Sequence, residues 1–270
     1  MKTFCVISNP DKDVQLTRAG HVKRYLESKG CTCYIESKSY VDQPEIQDGT
    51  EAVLVIGGDG TMLKAARDLA GYDLPLLGIN LGTVGYLAEI EIGAIESALD
   101  KVMADEYHIE ERMMLEGDCG KQEVALNDIV VSRNGPLQVM SYNVYVNGQF
   151  LNGYQADGII VATPTGSTGY NMSAGGPVVE PTANILVVTP ICPHTLNTRS
   201  IILSPEDEIR IEVPEGRMGM KQRLQAYFDG GSHVELETGD SLTIYRSKRT
   251  TKIMRLSKIS FLETLHKKLQ

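Results

Sequence analysis

Hydrophobic and polar positions follow one texture in the first part of this chain and another after about His108. In the first part, short apolar runs alternate with segments of helical period. Thr3–Ser8, Thr32–Glu36, Ala52–Ile56 and Leu76–Asn80 read as strands. Val14–Lys29, closed by Gly30, and Ile92–Glu106 read as helices, and MLKAARDLA after Thr61 reads as a third. This alternation predicts an open α/β sheet with parallel strands, a fold that places ligands at the carboxyl ends of its strands. Beyond His108 the runs shorten. Val124–Ser132, Ser141–Val146, Ile159–Ala162, Ile185–Val188, Ile209–Val213, Leu224–Phe228 and Ser241–Tyr245 all read as strands. Asn147–Gly148 between two alternating runs is a hairpin signature. The tail, Ile259–Gln270, returns to helical spacing with Phe261, Leu262, Leu265 and Leu269 apolar. The expected fold class is therefore α/β plus all-β. An open α/β sheet domain spans 1–105 and regains about 255–270, and a sandwich-like all-β domain spans 106–254. No internal repeat or low-complexity linker interrupts the chain.

Composition narrows the function classes. The 270 residues, 42% hydrophobic and 23% charged, suit a soluble globular protein with a sizeable core. A net charge of −9 argues against a nucleic-acid partner, which needs a basic face. No apolar stretch reaches membrane-spanning length, and Met1–Lys2–Thr3 leads straight into a strand rather than a signal peptide, so a cytoplasmic protein is expected. The five cysteines are odd in number and lack zinc-site spacing, and the five histidines show no metal pattern. Reduced thiols and no protein-ligated metal are expected.

The candidate chemistry lies in two segments. Gly57, Gly58 and Gly60 surround Asp59 directly after the apolar run Ala52–Ile56, and Thr61 is placed to cap the next helix. Glycines let the backbone come close to a ligand, and a helix start offers N–H groups to an anion. A carboxylate there repels phosphate, which makes sense if Asp59 faces a hydroxyl that loses its proton as phosphate is transferred. The first strand leads into SNPDKD rather than G-x-G-x-x-G, so an ordinary Rossmann dinucleotide site is not indicated. The second segment, DGIIVATPTGSTGYNMSAGGP at 157–177, runs from a strand into a stretch of hydroxyls and glycines suited to a neutral, hydroxyl-rich ligand such as a nucleoside.

GGDGT at 57–61, NLGTVGYLAE at 80–89, ALND at 125–128, the 157–177 segment and PHTL at 193–196 together resemble the NAD kinases, in the same order and at similar spacing. GGDGT alone is shared with diacylglycerol-kinase-like lipid kinases; TPTGSTGYN with PHTL looks specific to NAD kinases. The resemblance implies phosphoryl transfer from ATP, or in some members polyphosphate, to the 2′-hydroxyl of the adenosine ribose of NAD, giving NADP, with Mg2+ on the phosphates. It also implies a tail helix packed back on the first domain and a homodimer or homotetramer. The alternatives are a lipid kinase, which would need an apolar acceptor pocket, and a non-catalytic NAD(P) sensor, which would have little need for Asp59.

Carried over residue by residue, the resemblance makes Asp59 the catalytic base. A ribose hydroxyl is a far weaker acid than a carboxylic acid of pKa about 4, so Asp59 orients the hydroxyl and accepts its proton late. The amides of Gly57, Gly58, Asp59, Gly60 and Thr61 hold donor phosphates. Lys64, one turn along the helix, either neutralises a phosphate or is an exposed helix lysine. Asn127 and Asp128 match the family's Asn–Glu pair, with the shorter Asp in place of Glu, and accept from ribose hydroxyls. Asp157 contacts a base or amide of NAD. Thr168, Gly169, Tyr170, Asn171, Met172 and Ser173 line the nucleoside pocket, and Gln138 and Gln155 occupy further contact positions. Asp229–Gly230–Gly231 stands where relatives carry an Asp-Gly-Gln-like run, and Gly231 offers no side chain. His194 is read as packed and hydrogen-bonded rather than as a catalytic acid.

Overall fold

The computed structural model describes residues 1–36, 44–82, 85–135, 139–195, 198–257 and 259–268, with only the backbone at Arg217. Two compact units form, Met1–Arg112 with Thr251–Gln270, and Met113–Thr250.

In the first unit β1 (Thr3–Ser8), α1 (Thr17–Ser28), β2 (Thr32–Glu36), β3 (Ala52–Gly57), α2 (Asp59–Asp68), β4 (Leu76–Asn80), β5 (Ile90–Glu91) and α3 (Ile95–Met103) follow in order. The strands pair in parallel in the order β2-β1-β3-β4, with β5 beside β4. Every residue of β3 and β4 is buried, which is why both read as unbroken apolar runs: a parallel sheet with helices packed on it shields such strands from water. Val22 and Leu26 of α1 and Leu99 and Val102 of α3 join Leu54, Ile56 and Ile79 in one core. The predicted helix over Val14–Lys29 starts late. Val14–Leu16 is a 3-10 turn, and the buried Asp13 carboxylate accepts from the amides of Arg18 and Ala19 at 2.8 and 2.9 Å to fix the first turn of α1. The expected cap at Thr61 is also corrected. The helix begins three residues earlier, because Gly58 in an extended conformation is its N-cap, and Thr61 lies inside the first turn.

The second unit holds β6 (His108–Asp118), β7 (Gln122–Ala125), β8 (Asp128–Arg133), β9 (Met140–Val146), β10 (Gln149–Ala156), β11 (Gly158–Ala162), the short α4 (Tyr170–Ser173), β12 (Leu186–Ile191), β13 (Ile201–Leu203), β14 (Ile209–Glu212), β15 (Arg223–Phe228), β16 (Ser232–Glu237) and β17 (Ser241–Arg255); β6 and β17 extend into the first unit. One antiparallel sheet runs β13-β12-β11-β8-β15-β16. The facing sheet is built on β10-β9-β14-β17, with β6 pairing β17 and β7. Alternate residues of both sheets, among them Val131, Tyr142, Ile159, Val188, Ile211, Phe228 and Leu242, fill the core, which is sandwich packing. The Asn147–Gly148 hairpin joins β9 to β10 with φ of 50° and 76°, the left-handed values that a two-residue turn of this kind requires.

The expected strand Val124–Ser132 is two strands, broken at Leu126–Asn127, and β5, β6, β13 and β16 were not foreseen. The tail forms α5 (Phe261–Lys268), which packs back on the first unit as expected: the Phe261 ring lies 6.4 Å from that of Tyr86, and the Lys268 ammonium sits 4.4 Å over the same ring. Ahead of it, Ile253 of β17 pairs in parallel with Leu76. All five cysteines are free thiols; burial pushes Cys5 up to about 11 and Cys33 up to about 12, so both stay protonated at neutral pH.

Candidate active site

The GGDGT turn leaves the carboxyl end of β3. A side chain at Gly57 would put its Cβ 2.2 Å from Thr61 Oγ1, so only glycine lets the strand fold onto the helix start. The Thr61 and Met62 amides both donate to the Gly58 carbonyl, at 2.9 and 3.1 Å. That leaves the amides of Asp59 and Gly60 to open the helix, where the first N–H groups lack intrahelical partners. The Thr61 side chain is buried and accepts from Asn9 Nδ2 at 3.5 Å. The Lys64 ammonium is held by Asp68 at 2.6 Å, one turn further along the helix.

The Asp59 carboxylate does not hang free over the turn. The amide of Tyr86 donates to Oδ2 at 2.8 Å, and the amides of Leu87 and Ala88 donate to Oδ1 at 3.1 and 3.2 Å. A carboxylate has about four lone-pair sites. Oδ1 is doubly occupied and Oδ2 singly, so the open acceptor direction belongs to Oδ2. The NLGTVGYLAE motif is thus the cradle of Asp59. Its Gly85 is required by contact, since a Cβ there would lie 1.8 Å from Asp59 Oδ1. Gly85→Ala is expected to evict the carboxylate and, if Asp59 is the base that the resemblance implies, to lower kcat about 100-fold or more. Steady-state kinetics on a folded variant would check this, and near-normal turnover would show that the cradle is dispensable.

Lys12 was missed by sequence reasoning. Its ammonium would stand 3.3 Å from a Cβ at Gly58, so it is the cation at the glycine turn. The available signal was its position in SNPDKD, just past the carboxyl end of β1, on the sheet edge that also carries Asp59.

In the second unit the ALND segment is the break between β7 and β8. Asp229, just past β15, accepts from the amides of Leu126, Asn127 and Asp128 at 3.0, 2.7 and 3.2 Å. Thr163 ties the other side: its hydroxyl donates to the Leu126 carbonyl at 2.7 Å and its amide to the Asn127 carbonyl at 2.8 Å. Gly166 passes so close that a Cβ would lie 2.0 Å from the Asn127 carbonyl oxygen. The tip is therefore rigid, and it presents two unusual groups. Asn127 Oδ1 is buried without a hydrogen-bond partner, an acceptor that calls for a donor. Asp128 is buried, and its pKa is pushed up to about 7 by loss of solvent and then by the charge of Asp229. Such a shift beside an unpartnered buried acceptor marks a candidate binding residue. The Asp229–Gly230–Gly231 run thus works through the Asp229 carboxylate, which sequence reasoning did not assign.

The hydroxyl-rich segment divides by exposure. Tyr170 is 48% exposed, and Met172 and Ser173 are also exposed, so these three are available to a ligand; a Tyr170 buried in the β core is not what forms. Gly169 lies beside the tip, where a Cβ would sit 3.2 Å from Asn127 Nδ2 and 3.7 Å from Asp128 Oδ2. The Thr168 hydroxyl donates to the Thr165 carbonyl at 3.3 Å. The Asn171 side chain is a correction. It is fully buried, donating to the carbonyls of Ser167 and Pro177 at 3.3 and 3.0 Å and accepting from Thr189 at 2.7 Å, so it braces the turn instead of lining a pocket. Asp157 Oδ1 accepts from Arg133 at 2.8 Å. Gln155 is exposed, and its carbonyl accepts from the His194 amide at 2.8 Å. The His194 side chain is exposed rather than packed, a second correction. Gln138 lies outside the described residues.

Both halves of the chain match family models: the ATP-NAD kinase N-terminal domain over residues 4–107 and the ATP-NAD kinase C-terminal domain over 126–256. The chain belongs to the NAD kinase family. An NAD kinase of Agathobacter rectalis is 46% identical over 279 residues, covering 100% of this chain and 99% of the relative, and one of Lachnospira eligens is 42% identical with 100% of both covered. Among solved structures, an Archaeoglobus fulgidus NAD kinase in complex with ATP superposes with a TM-score of 0.79 at 25% identity, over 95% of this chain and 94% of that one. A yeast NADH kinase complexed with NADH superposes at 0.86 with 23% identity, covering 100% and 87%, a likeness of fold. The lipid-kinase alternative, which GGDGT alone admits, falls away because the second domain matches as well; the sensor reading falls away with it.

Proposed function

We infer that this NAD kinase transfers the terminal phosphoryl group of ATP to the 2′-hydroxyl of the adenosine ribose of NAD. The ribose oxygen forms a bond to the γ-phosphorus, the bond from that phosphorus to the bridging oxygen breaks, ADP leaves, and the hydroxyl proton passes to Asp59. The observation that carries the assignment of the base is the Asp59 cradle: three amides hold the carboxylate and leave one acceptor direction on Oδ2. Such a transfer needs little covalent participation by the protein, which mainly positions groups and spreads charge. In this reading Lys12 and the amides of Asp59 and Gly60 meet the donor phosphates. The buried acceptor of Asn127 and the Asp128 carboxylate take donors of the adenosine moiety, and Tyr170 offers a ring face to a base.

Among the described residues no cluster of three or more His, Cys, Asp or Glu side chains forms a metal site. Mg2+ commonly binds through substrate phosphates and keeps several waters rather than sitting in a protein cage, so the residues present fit a cation that would arrive on the phosphates of ATP, with Asp59 kept for the hydroxyl. When bound it would neutralise charge on the phosphate oxygens. No described helix is long and apolar enough to cross a membrane. A cytoplasmic homodimer or homotetramer completes the proposal.

The test is a coupled assay of the purified protein with NAD, ATP and Mg2+, detecting NADP with an NADP-specific dehydrogenase. NADP formation is expected. Folded protein that makes none, with polyphosphate also tried as donor, would overturn the reading.

A further inference from the structure

Two of the three amides that hold Asp59, those of Leu87 and Ala88, belong to peptide groups gripped from their other ends. Arg255, near the end of β17, donates from Nη2 to the Tyr86 carbonyl at 3.0 Å and from Nη1 to the Leu87 carbonyl at 3.2 Å. The peptide joining Tyr86 to Leu87 therefore accepts from Arg255 at its oxygen and donates to Asp59 Oδ1 at its nitrogen. The peptide joining Leu87 to Ala88 does the same. Two peptide dipoles lie in line between a guanidinium and a carboxylate, with a charge of the favourable sign at each end. Hydrogen bonds in such a chain polarise and strengthen one another.

Arg255 is itself fixed. Its side chain is 12% exposed, Nε donates to Glu110 Oε2 at 3.0 Å, and Glu89 Oε2 stands 3.6 Å from Nη1. Glu89 in turn accepts from the amide of Leu256 at 2.6 Å and from the Ser257 hydroxyl at 3.1 Å, and Glu110 also pairs with Arg112. A planar guanidinium suits this task because its donors form a rigid fork spread over three nitrogens, which reaches two carbonyls and a carboxylate in one plane, whereas an ammonium carries its donors on a single atom.

We propose that Arg255 is a positioning residue for phosphoryl transfer: through the peptide groups on either side of Leu87 it locks Asp59 Oδ1 and leaves Oδ2 as the oxygen that receives the ribose proton. Arg255 touches neither substrate in this scheme. The inference rests on the assignment of Asp59 as base, and the experiment separates the two.

Steady-state kcat and KM for ATP and for NAD are measured for Arg255→Gln, Arg255→Lys, Asp59→Asn and the Arg255→Gln/Asp59→Asn double variant, with circular dichroism to establish folding. Arg255→Gln is expected to lower kcat about 10- to 100-fold, the size of effect a slight misplacement of a reacting group produces, with both KM values within about threefold. Arg255→Lys, which keeps the charge and serves fewer partners, should recover part of the loss and stands in if the Gln variant does not fold. In the Asp59→Asn background, Arg255→Gln should cost nothing further, since both act on one step. Wild-type kcat in a folded Arg255 variant, or an equal loss in both backgrounds, overturns the positioning role while leaving Asp59 as base. Wild-type turnover by Asp59→Asn overturns the base assignment and the inference resting on it.

Discussion

Asp59→Asn is expected to lower kcat about 10²- to 10⁴-fold, the usual loss when a general base is removed. Asn keeps the size and shape of Asp, so the KM values for ATP and NAD should stay near wild type. The cradle predicts how the new side chain settles. Leu87 and Ala88 both donate to Oδ1, so the carboxamide oxygen takes that place and turns its NH2 toward the Tyr86 amide. Two donors then face each other, at a cost of about 1–3 kcal/mol if neither finds water. The atom left at the Oδ2 position can no longer accept a proton. Thermal denaturation and steady-state kinetics on the same preparation check both halves of the expectation. Turnover near wild type in a folded variant would remove Asp59 from the chemistry and leave its amide cradle purely structural.

The parts of the fold legible in the sequence are those where local pattern and burial coincide. β1 and β4 fall where their apolar runs place them, because parallel strands covered by helices are apolar on both sides, and the partly buried β2 falls at its expected bounds as well. β6 was not legible: it begins HIEER, with charges at Glu110 and Glu111 and even at the buried Arg112, and only its later residues enter the apolar core. β17 shows the same effect. RSKRTTK in its middle reads as loop, yet the strand continues through it for 15 residues. Helix starts were misplaced for a related reason. α2 and α1 open on a backbone glycine and on a distant carboxylate, Asp13, rather than on a neighbouring hydroxyl.

The site divides similarly. Residues whose chemistry is carried by their own side chains, such as Asp59 and Asp128, stand out within short motifs. Residues that act on a distant backbone do not. Asp229 holds amides about a hundred positions away in sequence, and Arg255 holds carbonyls still further away. No spacing rule links them, because the contact is made by tertiary folding. The glycines in those motifs recorded half of each contact. Gly85 is small because Asp59 arrives there, and Gly166 because the Asn127 carbonyl does. What a glycine accommodates is visible only when its neighbour is known.

Asp128→Asn is expected to stabilise the ligand-free protein at about pH 8 while weakening NAD binding. The Asp128 pKa rises from 3.8 to about 7 in the folded chain, first from burial and then from the Asp229 charge. Between about pH 4 and pH 7 the folded state thus holds a proton that the unfolded state has released, so stability falls as pH rises through that window. Above it the buried charge costs up to about 4 kcal/mol, at 1.36 kcal/mol for each pKa unit. Asn occupies the same space without the charge. At about 2–4 °C per kcal/mol for a chain of this size class, Tm at pH 8 should rise by several degrees, and the Tm difference from wild type should shrink toward about pH 5. Binding moves the other way. A charge-assisted hydrogen bond from a ribose hydroxyl is worth about 1.5–3 kcal/mol, so KM for NAD should rise about 10- to 100-fold with KM for ATP unchanged. The opposite signs make the result diagnostic: a carboxylate kept only for folding would not raise Tm when removed, and an idle one would not raise KM. A variant less stable than wild type at pH 8 would mean that the ligand-free tip already satisfies the Asp128 charge. The expected pattern would identify Asp128 as a group strained in the empty protein and relieved by substrate, which is how a rigid tip stores selectivity for a hydroxyl donor.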